Sequence, residues 1–231
     1  AHVAGLIAGG KFQDPLREGT DTMTMSTHKT LFGPQGGLVL GFEKHAEPIK
    51  KAMFPGLTSS HHIHHMGAKA VAFAEALEFG KDYAEQTIKN AKMLASELNN
   101  VGFKVLGEKR GYTESHQTVV NVLDYGDGGT IEADLEKANI IVNRQLIPGD
   151  LKAGRHYMHP GGIRLGTSEI TRLGMKESEM KEIASLLKQV VVDKKDAGEI
   201  AVHVKEFKTD FKKTQYCFDN KLGAYEYVKL R

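Results

Sequence analysis

The sequence predicts an α/β fold for residues 1–99 and a small α+β domain for residues 100–231. Three observations support this division. Short apolar runs alternate with glycine and proline near the start of the chain, as strands alternate with turns. Between His61 and Leu98 the apolar residues recur at the spacing of an amphipathic helix. After Gly102, a residue type that commonly ends a helix, short strand-like and helical segments alternate.

The elements of the first part follow from these patterns in chain order. Turns are expected at Gly33-Pro34 and at Gly36-Gly37, and Gly80 is expected to interrupt the helical stretch. The expected elements are strands at Val3–Ile7, Thr22–Ser26 and Gly37–Phe42, a short helix or irregular crossing at Glu43–Met53, and helices at His61–Phe79 and Lys81–Leu98.

The second part is expected to mix strands with amphipathic helices. Asn139 is expected to end the first of these helices. The expected elements are strands at Phe103–Leu106, Thr118–Leu123, Ile140–Val142 and Ile163–Leu165, and helices at Ile131–Lys137, Met180–Val191 and Gly198–Lys212.

The composition is that of an ordinary globular protein. Hydrophobic residues make up 40% and charged residues 26% of the 231 residues. The net charge of +2 gives no field that recruits nucleic acid or an anionic membrane, so neither is expected as a partner. No apolar run approaches the ~18 residues that cross a bilayer. The single Cys217 cannot form an internal disulfide, which fits a reducing cytoplasm.

The amino terminus is unusual, because the chain opens on the apolar run AHVAGLIAGG without an initiator Met. A domain rarely begins in the middle of its core. We therefore expect that upstream sequence precedes this chain in the natural protein.

The most informative motif lies at residues 22–37, where Lys29 stands among hydroxyl side chains and a glycine-rich segment follows. A lysine that acts as a Schiff-base nucleophile must be partly neutral and benefits from a sheltered site. The neighbouring hydroxyls of Ser26, Thr27 and Thr30 can hold a phosphate or a cofactor oxygen. Taken alone, a lysine at the edge of a strand is more commonly an ordinary surface residue.

The string TMSTHKTLFGPQGG resembles the cofactor-lysine signature of serine hydroxymethyltransferases, in which serines and threonines precede His-Lys-Thr and a Gly-Pro-x-Gly-Gly turn follows. The resemblance covers essentially the whole chain, through AHVAGLIAGG, Phe54-Pro55-Gly56, VNRQLIP and GGIRLGTSEITRLG. It is strongest to archaeal, methanogen-type members. It identifies the chain as the carboxyl-terminal part of such an enzyme and Lys29 as the catalytic residue that binds pyridoxal 5'-phosphate covalently.

The resemblance also implies the architecture and the reaction. Residues 1–99 would be the carboxyl-terminal part of a fold-type I large domain of the aspartate-aminotransferase kind, and residues 100–231 the small domain. The enzyme would be a homodimer that interconverts L-serine and glycine, passing a one-carbon unit to a reduced pterin. In the family, the aspartate that pairs with the pyridine nitrogen lies upstream of His2, so this chain alone is expected to be inactive.

The family motifs imply further site residues. Arg164 is expected to grip the substrate α-carboxylate with two parallel hydrogen bonds, the alternative being a structural arginine paired with a core acid. His2 matches a histidine next to the cofactor, whereas His28 adjoins the lysine but would point to the opposite side of a strand. The expected cofactor-binding residues are His2, Ser26, Thr27, His28, Lys29, Ser59 and Ser60.

Four residues, at three places in the chain, depart from the common family pattern. Ser59-Ser60 stands where a Gly pair commonly holds the cofactor phosphate of the partner subunit, and backbone amides at a helix start can keep that role. Gln35 stands where many members carry Arg. Gln145 stands where many members have an Asn that contacts the folate. Asn143 and Gln145 are the expected pterin-binding residues, and the pterin is a tetrahydrofolate or a tetrahydromethanopterin.

Four histidines suggest a metal site, because two of them are one helical turn apart. They are His61, His62, His64 and His65. No Cys and no obvious carboxylate completes the site, so we interpret this segment as a helix start that lines a domain or subunit interface, and we expect no metal.

Two other functions stay open from the sequence. One is a different pyridoxal enzyme of the same fold, such as a threonine aldolase or a glycine C-acyltransferase; pterin dependence of serine cleavage would distinguish it. The other is a non-catalytic domain that serves as an interaction or phosphate-binding module. The Thr-His-Lys-Thr run and the VNRQ segment favour the serine hydroxymethyltransferase.

Overall fold

The structure is a computed structural model that describes residues 2–219 and 223–224. The chain divides by its contacts into two compact units, one ending at Glu85 and the other beginning at Gln86. This division falls inside a long helix. The sequence-based boundary at residues 99/100 lies at the end of the same helix and stays a prediction.

The first unit combines a β-hairpin with helices. Its elements are α1 (Ala4–Ala8), β1 (Thr22–His28), β2 (Phe32–Gly41), a 3-10 turn (Glu43–His45), α2 (Ala46–Lys51), an irregular helical segment (Ala52–Leu57) and the first part of α3 (Ile63–Asn100). Strands β1 and β2 form a two-stranded antiparallel sheet. The helical interpretation of Glu43–Met53 is confirmed.

The segment predicted as strand Val3–Ile7 is the helix α1, so that prediction was wrong. A short apolar run fits a buried helix as well as a strand, and periodicity cannot separate the two. The packing decides the matter. A Cβ added at Gly5 would lie 2.0 Å from the carbonyl oxygen of Thr30, so this turn of α1 can approach the hairpin only because Gly5 has no side chain.

The predicted turns at Gly33-Pro34 and Gly36-Gly37 were also wrong, because both pairs lie inside β2. The connection between the strands is the shorter segment 29–31. The register shifts between Ser26 and His28, which marks a bulge at the end of β1. Proline is tolerated in β2 because a two-stranded sheet leaves every strand with an open edge.

Helix α3 does not break at Gly80, contrary to the prediction. Gly80 is buried, and a Cβ added to it would make only an ordinary contact, 3.8 Å from the Cβ of Ala76. The glycine that permits close packing here is Gly9, because a Cβ on Gly9 would come within 2.5 Å of the carbonyl oxygen of Gly80. The helix ends at Asn100. Gly102, which the sequence predicted as the residue that stops the helix, follows with φ +102, a backbone conformation that favours glycine.

The second unit, beyond its share of α3, is an α+β structure. Its elements are β3 (Lys104–Val105), β4 (Gln117–Asn121), α4 (Gly128–Lys137), β5 (Asn143–Gln145), β6 (Gly162–Gly166), α5 (Ser168–Arg172), α6 (Glu177–Val191) and α7 (Ala197–Phe207), with 3-10 turns at Glu108–Arg110, Leu151–Ala153 and Lys208–Asp210. The four strands form an antiparallel sheet in the order β3-β4-β6-β5.

The core of the second unit is continuous. Leu98, Val120, Ile163 and Leu187 are among its fully buried members. Helix α6 is amphipathic as predicted, and it buries one face in this core. Asp127 caps the amino terminus of α4 by accepting hydrogen bonds from the amides of the next turn.

Two predicted elements of the second unit are placed differently. The strand expected at Ile140–Val142 is β5, three residues further on, because Asn139 adopts φ +60 and the chain continues irregularly from it. The helix expected to reach Lys212 ends as α7 at Phe207. Within the described part of the chain, no helix is long and apolar enough to cross a membrane.

Candidate active site

Lys29 lies at the tip of the hairpin, directly after β1, and its side chain is exposed. Its backbone N–H donates to the carbonyl of Leu31 at 3.1 Å, which closes the tip. The ammonium group forms no hydrogen bond or ion pair with the residues that the structure describes. A lysine held by its backbone while its amine is left free is suited to form a covalent bond with a carbonyl compound.

The tip is anchored to α1 through Thr30, which is buried. Its hydroxyl donates to the carbonyl of His2 at 2.5 Å and accepts from the amide of Gly5 at 2.9 Å. These two bonds tie the residue after Lys29 to the segment that begins with His2. The structure therefore brings together two of the predicted cofactor residues that are far apart in sequence.

The other predicted residues of the hairpin have distinct environments. Thr27 is fully buried, and its hydroxyl donates to the carbonyl of Pro34 at 2.7 Å, so in this arrangement it holds the two strands together. His28 is exposed, and its Nδ1 accepts from the amide of Gly36 at 3.3 Å. Ser26 is half-buried on β1. The roles of all three toward a cofactor stay predictions.

A positive charge from α3 lies against the same hairpin. A Cβ on Gly36 would come within 2.5 Å of the Nζ of Lys69 and 3.3 Å of the hydroxyl of Thr27. His65, one helical turn earlier, is hydrogen-bonded with the backbone of Gln35. The sequence interpretation missed Lys69, and it considered His65 only as a possible metal ligand or as part of an interface. The available signal was the i, i+4 spacing of 65 and 69, continued by Ala72, which faces Gly33.

The pKa of His65 is lowered from its ordinary value. Desolvation is the largest cause, and the positive charges of His64, His62 and Lys69 add to it. The rings of His62, His64 and His65 lie 4.4 to 5.5 Å apart between centroids. In the described part of the chain, no group of three or more His, Cys, Asp or Glu side chains is arranged to hold a metal ion.

Ser59 and Ser60 are exposed and lie in the irregular segment between Leu57 and Ile63. The sequence interpretation put them at a helix start, but α3 begins only at Ile63. Their backbone amides are therefore not part of a first helical turn. Their contact with a cofactor phosphate stays a prediction.

In the second unit, Arg164 is half-buried at the middle of β6. It pairs in register with Asn143 of β5, and its Nη2 donates to the Oδ1 of Asn143 at 3.2 Å. Arg164 forms no ion pair with a described acid. This contradicts the alternative of a structural arginine paired with a core carboxylate and leaves the guanidinium available to an external anion.

The two predicted pterin residues differ in availability. Asn143 is exposed but uses its amide oxygen on Arg164. Gln145 is half-buried, and its Nε2 donates to the neighbouring carbonyl of Leu146 at 3.0 Å. Between them, Arg144 is ion-paired with Glu132 of α4.

The fold resembles that of L-threonine transaldolase from Pseudomonas fluorescens, solved in its internal aldimine state. The TM-score is 0.83 at 35% sequence identity, covering 94% of this chain and 49% of that one. The fold therefore defines an α/β protein of the pyridoxal-phosphate enzyme class.

The sequence model of the serine hydroxymethyltransferase family matches residues 1–187. The chain belongs to the serine hydroxymethyltransferase family, as its motifs predicted. The enzyme of that name from Nitrosopumilus maritimus is 77% identical over the whole chain, and the one from Methanothermobacter marburgensis is 52% identical. The chain spans about half the length of these curated relatives, 52% and 53% respectively.

The residues of the first unit fit pyridoxal phosphate by the chemistry of their donors. The hairpin tip presents a free primary amine at Lys29, which the cofactor aldehyde requires. The half-buried hydroxyl of Ser26 and the ammonium of Lys69 lie on the same unit and can serve an anionic group. A side chain at Gly36 would have to displace the flexible end of Lys69.

Proposed function

We propose that this chain supplies the cofactor lysine and the substrate-binding small domain of a serine hydroxymethyltransferase. That enzyme interconverts L-serine and glycine with transfer of the hydroxymethyl carbon to a reduced pterin. The observation that carries the proposal is the free amine of Lys29 at the anchored hairpin tip, in a chain of this family. Because the chain spans about half the length of its relatives, the proposal concerns an enzyme of the relatives' full length that contains this chain, called the complete enzyme below.

In the complete enzyme Lys29 is the attachment point of pyridoxal 5'-phosphate. When bound, the cofactor supplies an electron sink for the charge left on the serine Cα when its bond to Cβ breaks. His2, Ser26, Thr27 and His28 orient and hold it, and Ser59-Ser60 serve the phosphate of the partner subunit. The fixed backbone at Thr30 keeps the lysine at one position, which favours reaction by orientation.

Arg164 binds the α-carboxylate of serine or glycine in this proposal. Its support is the guanidinium at the middle of β6, oriented by Asn143 and without an acidic partner among the described residues. A planar guanidinium holds a carboxylate through two parallel hydrogen bonds. Fixing the carboxylate restricts rotation of the substrate about its remaining bonds, which aligns the bond to be broken.

The one-carbon acceptor is proposed to be a tetrahydrofolate or a tetrahydromethanopterin, bound near Asn143 and Gln145. Gln145 differs from the Asn common in the family, so the choice of pterin is the least fixed part of the proposal. Measuring serine cleavage with each pterin in turn distinguishes the two. Cleavage at equal rates without any pterin would instead favour an aldolase or transaldolase, a possibility raised by the structural likeness to L-threonine transaldolase.

We also propose that the complete enzyme is a homodimer in which residues 54–61 face the partner's cofactor. Large apolar side chains flank the two serines: Phe54 is 65%, Leu57 is 87% and Ile63 is 77% exposed. Apolar side chains clustered in this way are typical of an interface. Sedimentation should give a dimer, and a fully active monomer would contradict the shared site.

The central test is to trap the cofactor with borohydride in the complete enzyme and to map the labelled peptide. The label is expected on Lys29, and Lys29→Ala should abolish both the label and the near-visible absorbance. Lys44→Ala is the matched control, because Lys44 is an exposed lysine of the same unit that is ion-paired with Asp21 at 3.2 Å. A label that persists in Lys29→Ala and vanishes in the control would end the assignment.

Arg164→Ala tests the substrate part separately. It removes two charge-assisted hydrogen bonds of about 1.5–3 kcal/mol each, so serine affinity should fall at least about 100-fold. The cofactor absorbance should stay near normal. Loss of the cofactor with serine affinity retained would make Arg164 a structural or cofactor residue.

A further inference from the structure

The loop between β5 and β6 is fastened by one buried carboxylate. Asp150 is 1% exposed, and a single oxygen of it, Oδ2, accepts hydrogen bonds from two backbone amides. The amide of Ile147 donates at 2.9 Å and the amide of Gly161 at 2.8 Å. Its other oxygen, Oδ1, faces the guanidinium of Arg155 at 3.6 Å. Loss of this carboxylate would leave two buried backbone amides without a hydrogen-bond acceptor, which is energetically costly.

These two amides stand at the ends of the strands that carry the proposed substrate residues. Ile147 follows β5 by two residues, and Gly161 directly precedes β6. The last pair of the ladder is Gln145 with Gly162, so the carboxylate clamps the strands just beyond it. Packing at this point is close: a Cβ on Gly161 would lie 2.7 Å from Oδ1 of Asp150.

The clamp matters because the β5–β6 ladder is short. It has three residue pairs, and β5 is an edge strand. Register is weakly specified in a ladder of this length, and a slip of one residue turns every side chain to the other face. Such a slip would remove Asn143 from its position opposite Arg164.

We propose that Asp150 is a positioning residue for substrate carboxylate binding: by clamping the β5–β6 register it holds the Arg164–Asn143 pair in place. The inference rests on the proposed role of Arg164. Asp150 itself does not touch the substrate, and it acts on serine through the arginine.

The test compares Asp150→Ala, Asp150→Asn and Asp196→Ala in the complete enzyme with pyridoxal phosphate bound. If the correct register falls to about a tenth of the population in Asp150→Ala, apparent serine affinity falls about tenfold. Asp150→Asn should retain most of the affinity, because one amide oxygen can accept both backbone hydrogen bonds. Asp196→Ala removes a side-chain carboxylate that accepts a hydrogen bond from the backbone amide of Glu199 at the α7 amino terminus, in the same unit, and should leave serine affinity unchanged.

A second measurement does not depend on activity. Hydrogen–deuterium exchange of residues 143–147 should be faster in Asp150→Ala than in Asp196→Ala or Asp150→Asn. In addition, Asp150→Ala should have no further effect on serine affinity when Arg164 is already Ala, because the clamp acts through Arg164.

Serine affinity in Asp150→Ala that matches Asp196→Ala would overturn the inference, and so would an equal effect of Asp150→Ala with and without Arg164. These results leave the proposed function intact. A normal serine affinity in Arg164→Ala, by contrast, would refute the substrate role of Arg164 itself. The two failures are therefore distinguishable.

Discussion

The two units of the chain fix their candidate site residues in different ways. In the first unit the hairpin tip is positioned by hydroxyl-to-backbone bonds and by glycines that allow close approach, and its apolar cluster is small, with Ala4, Met25 and Leu31 as the buried members. In the second unit Arg164 lies on a sheet backed by a continuous core of 22 buried residues. An open groove of the first unit is lined by apolar side chains such as Ile7 and Leu38.

The difference indicates that the candidate site residues of the two units depend on different sources of stability. Burial of apolar area is the main favourable term in folding, and the second unit provides it internally. The first unit leaves apolar side chains of α1, the hairpin and α3 uncovered. We therefore expect the geometry around Arg164 to be intrinsic to its unit, and that around Lys29 to depend on surfaces that cover this groove.

The largest expected effect separates the units physically. A polypeptide that begins at Gln86 should unfold cooperatively in urea, because it retains the continuous buried core of the second unit. A polypeptide that ends at Glu85 should show no cooperative transition. Circular dichroism at increasing urea concentrations would measure both. A cooperative transition in the polypeptide that ends at Glu85 would contradict the expectation that the first unit depends on surfaces outside it.

A pair of leucine substitutions sharpens the same contrast. Leu187 of α6 is fully buried, whereas Leu77 of α3 is 90% exposed. Leu187→Ala should lower the free energy of unfolding by about 2–5 kcal/mol, because it opens a cavity in the core. Leu77→Ala should change it by less than about 0.5 kcal/mol. The urea midpoints of the two variants measure this difference in stability, and similar midpoints would contradict the expectation.

A third prediction concerns the anchoring of the hairpin tip. Gly5→Ala should displace α1 from Thr30, because its new Cβ would meet a backbone oxygen that cannot rotate away. Borohydride labelling of Lys29 in the complete enzyme should therefore fall severalfold. Gly67→Ala is the control, because nothing lies within 4 Å of a Cβ there, and it should stabilise α3 by about 0.5–1 kcal/mol. Equal labelling in both variants would show that α1 does not position the tip.

The smallest effect is a pH dependence from His65, whose pKa is lowered in the folded state. The unfolded chain then binds a proton at a higher pH than the folded one. Stability should therefore decrease as the pH falls below about 6.5, and it should be unaffected by this group above that value. In the complete enzyme, His65→Gln should flatten the change in urea midpoint between pH 7.5 and pH 5.5. His203→Gln, in the second unit, should leave that change as it is.

The family and most elements could be predicted from the sequence, because their signals are local. The Thr-His-Lys-Thr run predicted Lys29 as the cofactor lysine, and the apolar stripe of 180–191 identified α6. Helix α1 could not be predicted, because it depends on what packs against Gly5. The continuity of α3 could not be predicted either, because an isolated glycine can be tolerated inside a helix and local propensity cannot tell this from a helix break.

The sequence by itself determined the family, and it predicted Lys29 and Arg164 as residues that carry the chemistry, because both belong to contiguous motifs. Only the tertiary structure decided what holds them. Thr30 joins the lysine to α1 across 25 residues, Lys69 reaches the hairpin from α3, and Asp150 fastens two strands by their backbone amides. Most of these contacts join atoms far apart in the chain. The periodicity of one segment can show which residues share a face, as it does for 65 and 69, but it does not encode which other segment packs against that face.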